Sequence, residues 1–262
     1  MNLTKKDISK ILSTEMSITL DLSHEITDQF IKILKDILYD NRVVKKPWGY
    51  EYVVYRDKNN LSVTLLNIKH NHTTSLHCHP KKKSGFILLK GKALFQLGLW
   101  KKRSEVHSSP SKRMIARGLF HSIKSLSKGG LLALEFETPV DKLDLVRFKD
   151  AYGRRSKSYE GREFTKLISS DFIKLKKPKI GKKQEYKFNN VNLSLEVHKN
   201  FNNILKNKKD TIFAILGGSV SDKKGKNVLS YGDIVRTVDF KVLSKVFKIK
   251  KNLSVARVYK SA

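Results

Sequence analysis

The sequence has few cysteines, few acidic residues and no long apolar run, and each shortage excludes a class of protein. A single cysteine, Cys78, excludes an intramolecular disulfide bond and a metal site made of several thiolates. No apolar run approaches the ~18–20 residues that a membrane-spanning helix needs, and the first residues lack the apolar block of a signal peptide. We therefore expect a cytoplasmic protein without a membrane partner.

Acidic residues are scarce, since 24 Asp and Glu stand against 54 Lys and Arg in 262 residues, for a formal net charge of +30. Residues 1–40 carry a net charge of −2, whereas residues 41–160 and 161–262 carry +16 each, so the excess is not a single basic tail. Lysine outnumbers arginine 43 to 11, and base-edge recognition favours arginine. We interpret the charge as a solvated lysine surface. The alternative is attraction of anionic small molecules or polyanions, and we do not expect a nucleic-acid partner.

The spacing of apolar residues divides the chain into three segments. Residues 1–40 carry apolar side chains three and four positions apart, which predicts a short helical extension with a docking or homodimer face. In residues 41–160, short β-branched or aromatic runs alternate with turn-like stretches, as in an all-β sandwich or barrel. Residues 161–262 begin with a connector and then repeat this rhythm, as in a degraded internal repeat. We predict two successive barrels, of which the second is degenerate and lacks a metal centre.

Three of the eight histidines have the spacing of a metal site. His77 and His79 are separated by one residue, so on a strand both side chains point to the same face. His121 ends a Gly-x-x-His sequence that begins at Gly118. Imidazoles that converge from adjacent strands inside a barrel are suitable ligands for Zn, Fe, Mn or Ni. We predict that these three histidines hold a divalent metal, and histidines left in a site that has lost its metal are the alternative.

Four sequence segments follow one another around the histidines: Lys46–Glu51, Ser75–His79, Ile115–His121 and Leu145–Arg154. Their sequences and order resemble the cupin superfamily, and more specifically the cupin domain of the type II phosphomannose isomerases (mannose-6-phosphate isomerases). The resemblance covers about residues 45–154, including the motif glycine at Gly91. It implies a double-stranded β-helix barrel and chemistry on a sugar or sugar phosphate. Ser84 departs from the pattern, because the family usually has a glutamate ligand there.

Charged residues near these segments are candidates for catalysis and substrate binding. Glu135 and Glu137 alternate with apolar residues, so Glu135 can act as general base or fourth ligand if its face lines the barrel. An exposed polar face is the alternative, and Glu51 can take either catalytic role. Cations that flank the motifs can converge at the barrel mouth: Lys46, Lys81, Lys82, Lys83, Arg147 and Arg154. Of these we select Lys46, Lys83, Arg147 and Arg154 as substrate ligands, with ion pairing at the barrel ends as the alternative.

Together these features predict a metal-dependent isomerase or epimerase in the supply of surface-polysaccharide precursors. The metal would polarise the sugar oxygens, and a carboxylate would move a proton between adjacent carbons. A non-catalytic sugar-binding or regulatory bicupin is the alternative, favoured by the missing glutamate and the degenerate second barrel. In both cases the expected partner is a small molecule, either a sugar phosphate or a nucleotide sugar.

Overall fold

The structure is a computed structural model that describes residues 10, 23–25, 27, 40–100, 102–141, 144–153 and 164–261. Residues 10, 23–25, 27 and 40 are helical, and the rest of the predicted helical extension lies outside the described residues. The homodimer that we assigned to its apolar face stays a prediction. In the described part of the chain, no helix combines the length and the apolar character needed to cross a bilayer.

Two antiparallel sheets that face each other form a barrel. The strands are β1 Arg42–Lys46, β2 Gly49–Asp57, β3 Leu61–Ile68, β4 Leu76–Cys78, β5 Lys83–Lys90, β6 Lys92–Leu97, β7 Ser104–Ser108, β8 Ser111–Ile115, β9 His121–Ser125, β10 Leu131–Thr138, β11 Val146–Lys149 and β12 Thr165–Leu167. The sheet orders are β12-β1-β2-β3-β10-β5-β8 and β11-β4-β9-β6-β7. From β3 to β10 the chain crosses between the sheets at every connection except the β6–β7 hairpin. This is the topology of a double-stranded β-helix, so the predicted all-β cupin barrel is confirmed.

The remaining strands form a third sheet that is separate from the barrel. Its elements are β13 Gln184–Phe188, β14 Val191–His198, α1 Asn202–Leu205, β15 Ile212–Ser221, β16 Asn227–Leu229, β17 Ile234–Arg236, α2 Thr237–Leu243 and β18 Lys248–Lys260. The order is β13-β14-β18-β15-β16, and β17 also pairs with β15. The second half of the chain is therefore a smaller β unit with one sheet where the barrel has two. The segment boundaries at residues 40 and 160 stay predictions, and β12, which follows the second boundary, pairs with β1 in the barrel.

The third sheet packs on the outer face of the seven-stranded sheet. Side chains from both sheets form one buried cluster, which includes Leu65 and Phe136 of the barrel and Leu193 and Ala214 of the third sheet. Helices α1 and α2 cover the opposite face of the third sheet, where Phe240 is fully buried. The seven-stranded sheet is thus covered on both faces. For this reason β3 and β5 each contain six consecutive buried residues instead of alternating apolar and polar ones.

A second apolar cluster fills part of the barrel interior and includes Phe86, Phe95 and Ile123. The turn that leads from β5 to β6 requires the glycine of the motif. Gly91 has a φ of +87°, and a Cβ at this position would lie 2.5 Å from the carbonyl oxygen of Gly130. The glycine therefore fixes the close approach of two turns beside the barrel.

Candidate metal and substrate site

Three imidazoles converge inside the barrel. His77 lies on β4, His79 follows β4 directly, and His121 begins β9 as the register partner of His77. The ring centroids lie 4.5–5.5 Å apart, and one nitrogen from each ring lies within 4.8 Å of the others. The predicted convergence is confirmed, and the three histidines are positioned to hold a metal ion.

A backbone carbonyl fixes the orientation of each imidazole. The contacts are Nδ1 of His77 with Ser75 O at 2.8 Å, Nδ1 of His79 with Asp144 O at 2.6 Å, and Nδ1 of His121 with Leu119 O at 3.0 Å. Because a carbonyl oxygen can only accept a hydrogen bond, each Nδ1 must carry the proton, and the lone pair is on Nε2. Histidines that bind metals are commonly oriented by such a contact.

Burial keeps the three imidazoles neutral. It lowers the pKa of His77 well below the usual value, and the neighbouring His121 and His79 lower it further. Burial, with the positive charge of Lys82, lowers the pKa of His79 to about 3, and burial lowers the pKa of His121 to about 4. Nε2 of His121 is buried and has no hydrogen-bond partner among the described residues. Neutral ring nitrogens, one of them with an unsatisfied lone pair, fit a divalent metal ion.

Two carboxylates from the facing sheet lie beside the histidines. Glu135 and Glu137 alternate on β10 with Leu134 and Phe136, which belong to the cluster shared with the third sheet. The glutamates therefore point into the barrel. The ligand atoms of His79, Glu135 and Glu137 lie within 4.8 Å of one another. The two groups share His79, and its Nδ1 is hydrogen-bonded to a carbonyl oxygen, which leaves Nε2 for a metal. We infer that both groups belong to one centre.

A carboxylate reaches this centre although the family's glutamate position is a serine. Ser84 is buried on β5, and its register partner on β10 is Glu137. Residues that pair across antiparallel strands point to the same face of the sheet. Ser84 and Glu137 therefore share the barrel interior, and the neighbouring strand supplies the carboxylate that β5 lacks.

The centre borders a cavity of about 640 Å³, its open mouth included. The charged lining residues are Lys46, Glu51, Lys82, Glu135, Glu137 and Arg147. Lys46 forms an ion pair with Glu51 at 3.2 Å, and Lys82 forms one with Glu137; the lysine side chains are 7% and 3% exposed. Arg147 on β11 is the register partner of His77. The structure thus brings together two predicted catalytic residues, Glu51 and Glu135, and two predicted substrate ligands, Lys46 and Arg147.

Of the other cations that we predicted at the barrel mouth, Lys82 lines the cavity, whereas Lys81, Lys83 and Arg154 are not among the described lining residues. Nζ of Lys83 bonds to the carboxylate of Asp233 in the third sheet at 2.7 Å. Lys83 and Ser84 are adjacent on β5 and point to opposite faces, so Lys83 faces away from the barrel interior. Lys81 is exposed, and Arg154 lies outside the described residues.

Asp144 supports the site, although no sequence motif indicated it. Its carbonyl accepts the Nδ1 proton of His79, and its buried carboxylate accepts the backbone N–H groups of Lys81 and Lys82 at 2.8–3.1 Å. Asp144 therefore ties the turn between β4 and β5 to the segment that precedes β11. These contacts join residues 62–65 positions apart, so they become visible only in the folded chain.

No protein-family model and no curated protein matches the sequence. Among solved structures, the chain is similar to a double-stranded β-helix protein from Klebsiella pneumoniae (13% identity, 38% of this chain and 84% of that chain, TM-score 0.34). It is also similar to a putative sugar phosphate isomerase from Acidithiobacillus ferrooxidans (16% identity, 31% and 51%, TM-score 0.28). A third similar structure is that of the capsular polysaccharide assembling protein CapF from Staphylococcus aureus (15% identity, 41% of this chain and 34% of that chain, TM-score 0.37). The chain covers about half of the length of the putative sugar phosphate isomerase and about a third of the length of CapF. The strand order gives this chain the double-stranded β-helix fold of the cupins.

Proposed function

We propose that the protein is a metal-dependent cupin isomerase or epimerase that acts on a phosphorylated or nucleotide-linked sugar, as the resemblance to type II phosphomannose isomerases implies. The observation that carries the proposal is the convergence of His77, His79 and His121 beside a cavity that Glu135 and Arg147 line. A metal centre, a carboxylate and a cation within one cavity are the groups that such chemistry needs.

His77, His79 and His121 would hold the metal through Nε2, with Glu135 or Glu137 as the carboxylate ligand. The carbonyl contacts at each Nδ1 and the buried Nε2 of His121 support this assignment. When bound, the metal would polarise the carbonyl and hydroxyl oxygens of an open-chain sugar. Nitrogen and oxygen donors of this kind suit Zn, Fe, Mn or Ni.

We assign proton transfer to Glu135, because its carboxylate lies beside His79 and lines the cavity. Glu135 takes the proton from the carbon that bears the hydroxyl group and returns it to the adjacent carbonyl carbon. In the same conversion the hydroxyl proton passes to the former carbonyl oxygen. An aldose becomes a ketose in this way, with no net gain or loss of electrons.

Arg147 is the principal phosphate ligand in this proposal. It lines the cavity next to His77, so an anion bound to it lies close to the histidines. A guanidinium can donate two parallel hydrogen bonds to a phosphate. Lys46 is a second ligand, for which the phosphate competes with the carboxylate of Glu51. The role that we predicted for Arg154 stays a prediction.

Metal analysis of untagged protein, followed by assays with a panel of aldose and ketose phosphates, tests the proposal. We expect stoichiometric metal and interconversion of at least one pair, and His121→Ala should lose both. His107→Ala is the matched control, because His107 contacts Glu105 on β7 and belongs to neither donor group. Metal-loaded protein that converts no sugar in the panel would overturn the enzymatic part of the proposal.

A non-catalytic sugar-binding or regulatory module is the second candidate. The observation that favours it is that Glu51 and Glu137, which line the cavity, are held in ion pairs with Lys46 and Lys82. Calorimetry on metal-loaded protein distinguishes the two candidates. Saturable binding of a sugar phosphate or nucleotide sugar without interconversion supports the module, whereas turnover supports the enzyme.

A further inference from the structure

A buried cation lies next to the proposed metal centre. Lys82 directly precedes β5, and its side chain is 3% exposed and in contact with the carboxylate of Glu137. The same carboxylate belongs, with His79 and Glu135, to a group whose ligand atoms lie within 4.8 Å of one another. The lysine ammonium and a metal ion at the histidines would therefore share one carboxylate.

We propose that Lys82 and the metal ion compete for the carboxylate of Glu137, so that Lys82 sets the affinity of the centre for metal. The inference rests on the metal centre of the proposed function. A buried carboxylate is costly unless a cation accompanies it, and in the metal-free chain Lys82 is that cation. A divalent ion beside His79 adds a second cation a few ångströms away, and like charges repel strongly in a buried site.

Two consequences follow from this competition. The Lys82 ammonium lowers the affinity for metal, both by repulsion and by its hold on Glu137. It also stabilises the metal-free fold, because it keeps the charge of Glu137 neutralised when no ion is present. Removal of the lysine charge should therefore tighten metal binding and, at the same time, make stability depend on metal.

The chain contains a matched control for this charge. Lys83 is the next residue and carries the same charge, but its Nζ bonds to Asp233 of the third sheet at 2.7 Å. Of the two lysines, Lys82 lines the cavity. Lys82→Met and Lys83→Met each remove one positive charge at nearly the same point of the chain, and they differ in the side of the sheet from which the charge is lost.

The experiment is calorimetric titration of chelator-treated protein with Mn²⁺ and with Zn²⁺, together with urea unfolding with and without the metal. We expect K82M to bind metal at least tenfold more tightly than the unmodified chain, whereas K83M should stay within about twofold. Metal-free K82M should unfold at a lower urea concentration than the metal-free unmodified chain, and saturating metal should remove this difference. The double variant K82M/E137Q keeps the test possible if metal-free K82M fails to fold, because it removes both charges. The double variant should bind metal no more tightly than the unmodified chain does.

Three results would overturn the inference. If the unmodified chain binds metal and K82M binds it equally or more weakly, Lys82 does not compete, and the proposed function stands. If K82M/E137Q keeps the full gain of K82M, Glu137 is not the shared ligand. If neither the unmodified chain nor K82M binds either metal, the metal centre of the proposed function fails and the inference fails with it.

Discussion

Removal of the Asp144 carboxylate tests whether the turn before β5 positions the metal ligands. This buried carboxylate accepts the backbone N–H groups of Lys81 and Lys82 at 2.8–3.1 Å. The carbonyl of the same residue accepts the Nδ1 proton of His79 at 2.6 Å. Asp144→Ala deletes the carboxylate and keeps the carbonyl, so the hydrogen bond to His79 is lost only if the loop is displaced.

The size of the effect follows from the two donors that lose their acceptor. Hydrogen bonds to a charged group contribute about 1.5–3 kcal/mol each, and water can replace the carboxylate more easily at the exposed Lys81 than at the buried Lys82. We therefore expect D144A to lower the free energy of unfolding by about 3 kcal/mol. Partners that orient metal ligands typically change metal affinity by about 10–100-fold when they are lost. Asp144→Asn keeps one accepting oxygen, so both of its losses should be smaller.

Urea unfolding of metal-free protein measures the first loss, and calorimetric titration with Zn²⁺ measures the second. Asp222→Ala is the control, because the Asp222 carboxylate accepts the backbone N–H of Lys226 at 2.8 Å in a hairpin of the third sheet. It removes the same kind of contact away from the cavity and should leave metal affinity unchanged. If D144A binds Zn²⁺ as tightly as D222A does, Asp144 does not position the site.

Three further predictions concern the substrate, the pH dependence of stability and the turn after β5. Arg147→Ala should lower the affinity for a sugar phosphate at least tenfold. An equal loss of affinity for the unphosphorylated sugar would contradict the role of Arg147 as a phosphate ligand. Burial raises the pKa values of Tyr52 and Tyr55 to about 12, so the folded chain keeps protons that the unfolded chain loses above pH ~10. The free energy of unfolding, measured with urea, should therefore fall between pH 10 and 12. The fall should be smaller in the double variant Tyr52→Phe/Tyr55→Phe, and an equal fall would refute burial of these tyrosines as its cause. Gly91→Ala should lower stability more than Gly98→Ala does. Both glycines have positive φ, but of the two only Gly91 has a carbonyl oxygen 2.5 Å from the position of the new Cβ. Equal decreases in the temperature of thermal unfolding would refute the close contact.

A sandwich or barrel could be predicted from the sequence because its signals are local, whereas the double-stranded β-helix was implied by the resemblance to the cupins. Short strands and turn residues determine the strand rhythm, and alternation along a strand puts His77 and His79 on one face. Gly91 marks a turn that only a residue without Cβ fits. Each of these features lies within a few residues of chain, so periodicity and spacing suffice to find it. The third sheet was predictable in the same way, but its packing on the barrel was not.

That packing decides which face of β10 lines the cavity. Alternation alone leaves Glu135 and Glu137 either inside the barrel or exposed. Apolar residues such as Leu134 would be expected to fill the interior of an isolated barrel. Here the third sheet covers the outer face, so Leu134 packs outward against it and the glutamates point inward. The role of Asp144 could not be predicted either, because its hydrogen-bond partners are distant in sequence and meet it only in the folded chain.

The large positive charge of the chain does not extend into the cavity. Among the residues that the structure describes, three cations and three carboxylates line the cavity, so their formal charges cancel, although the whole chain carries +30. Attraction by surface lysines is screened over roughly 8–10 Å at physiological ionic strength, and it acts on any anion that approaches. Selection of one anion must therefore come from groups with fixed geometry inside the cavity. Arg147 beside His77 is such a group, and the metal that the histidines are positioned to hold would add the charge that the lining itself lacks.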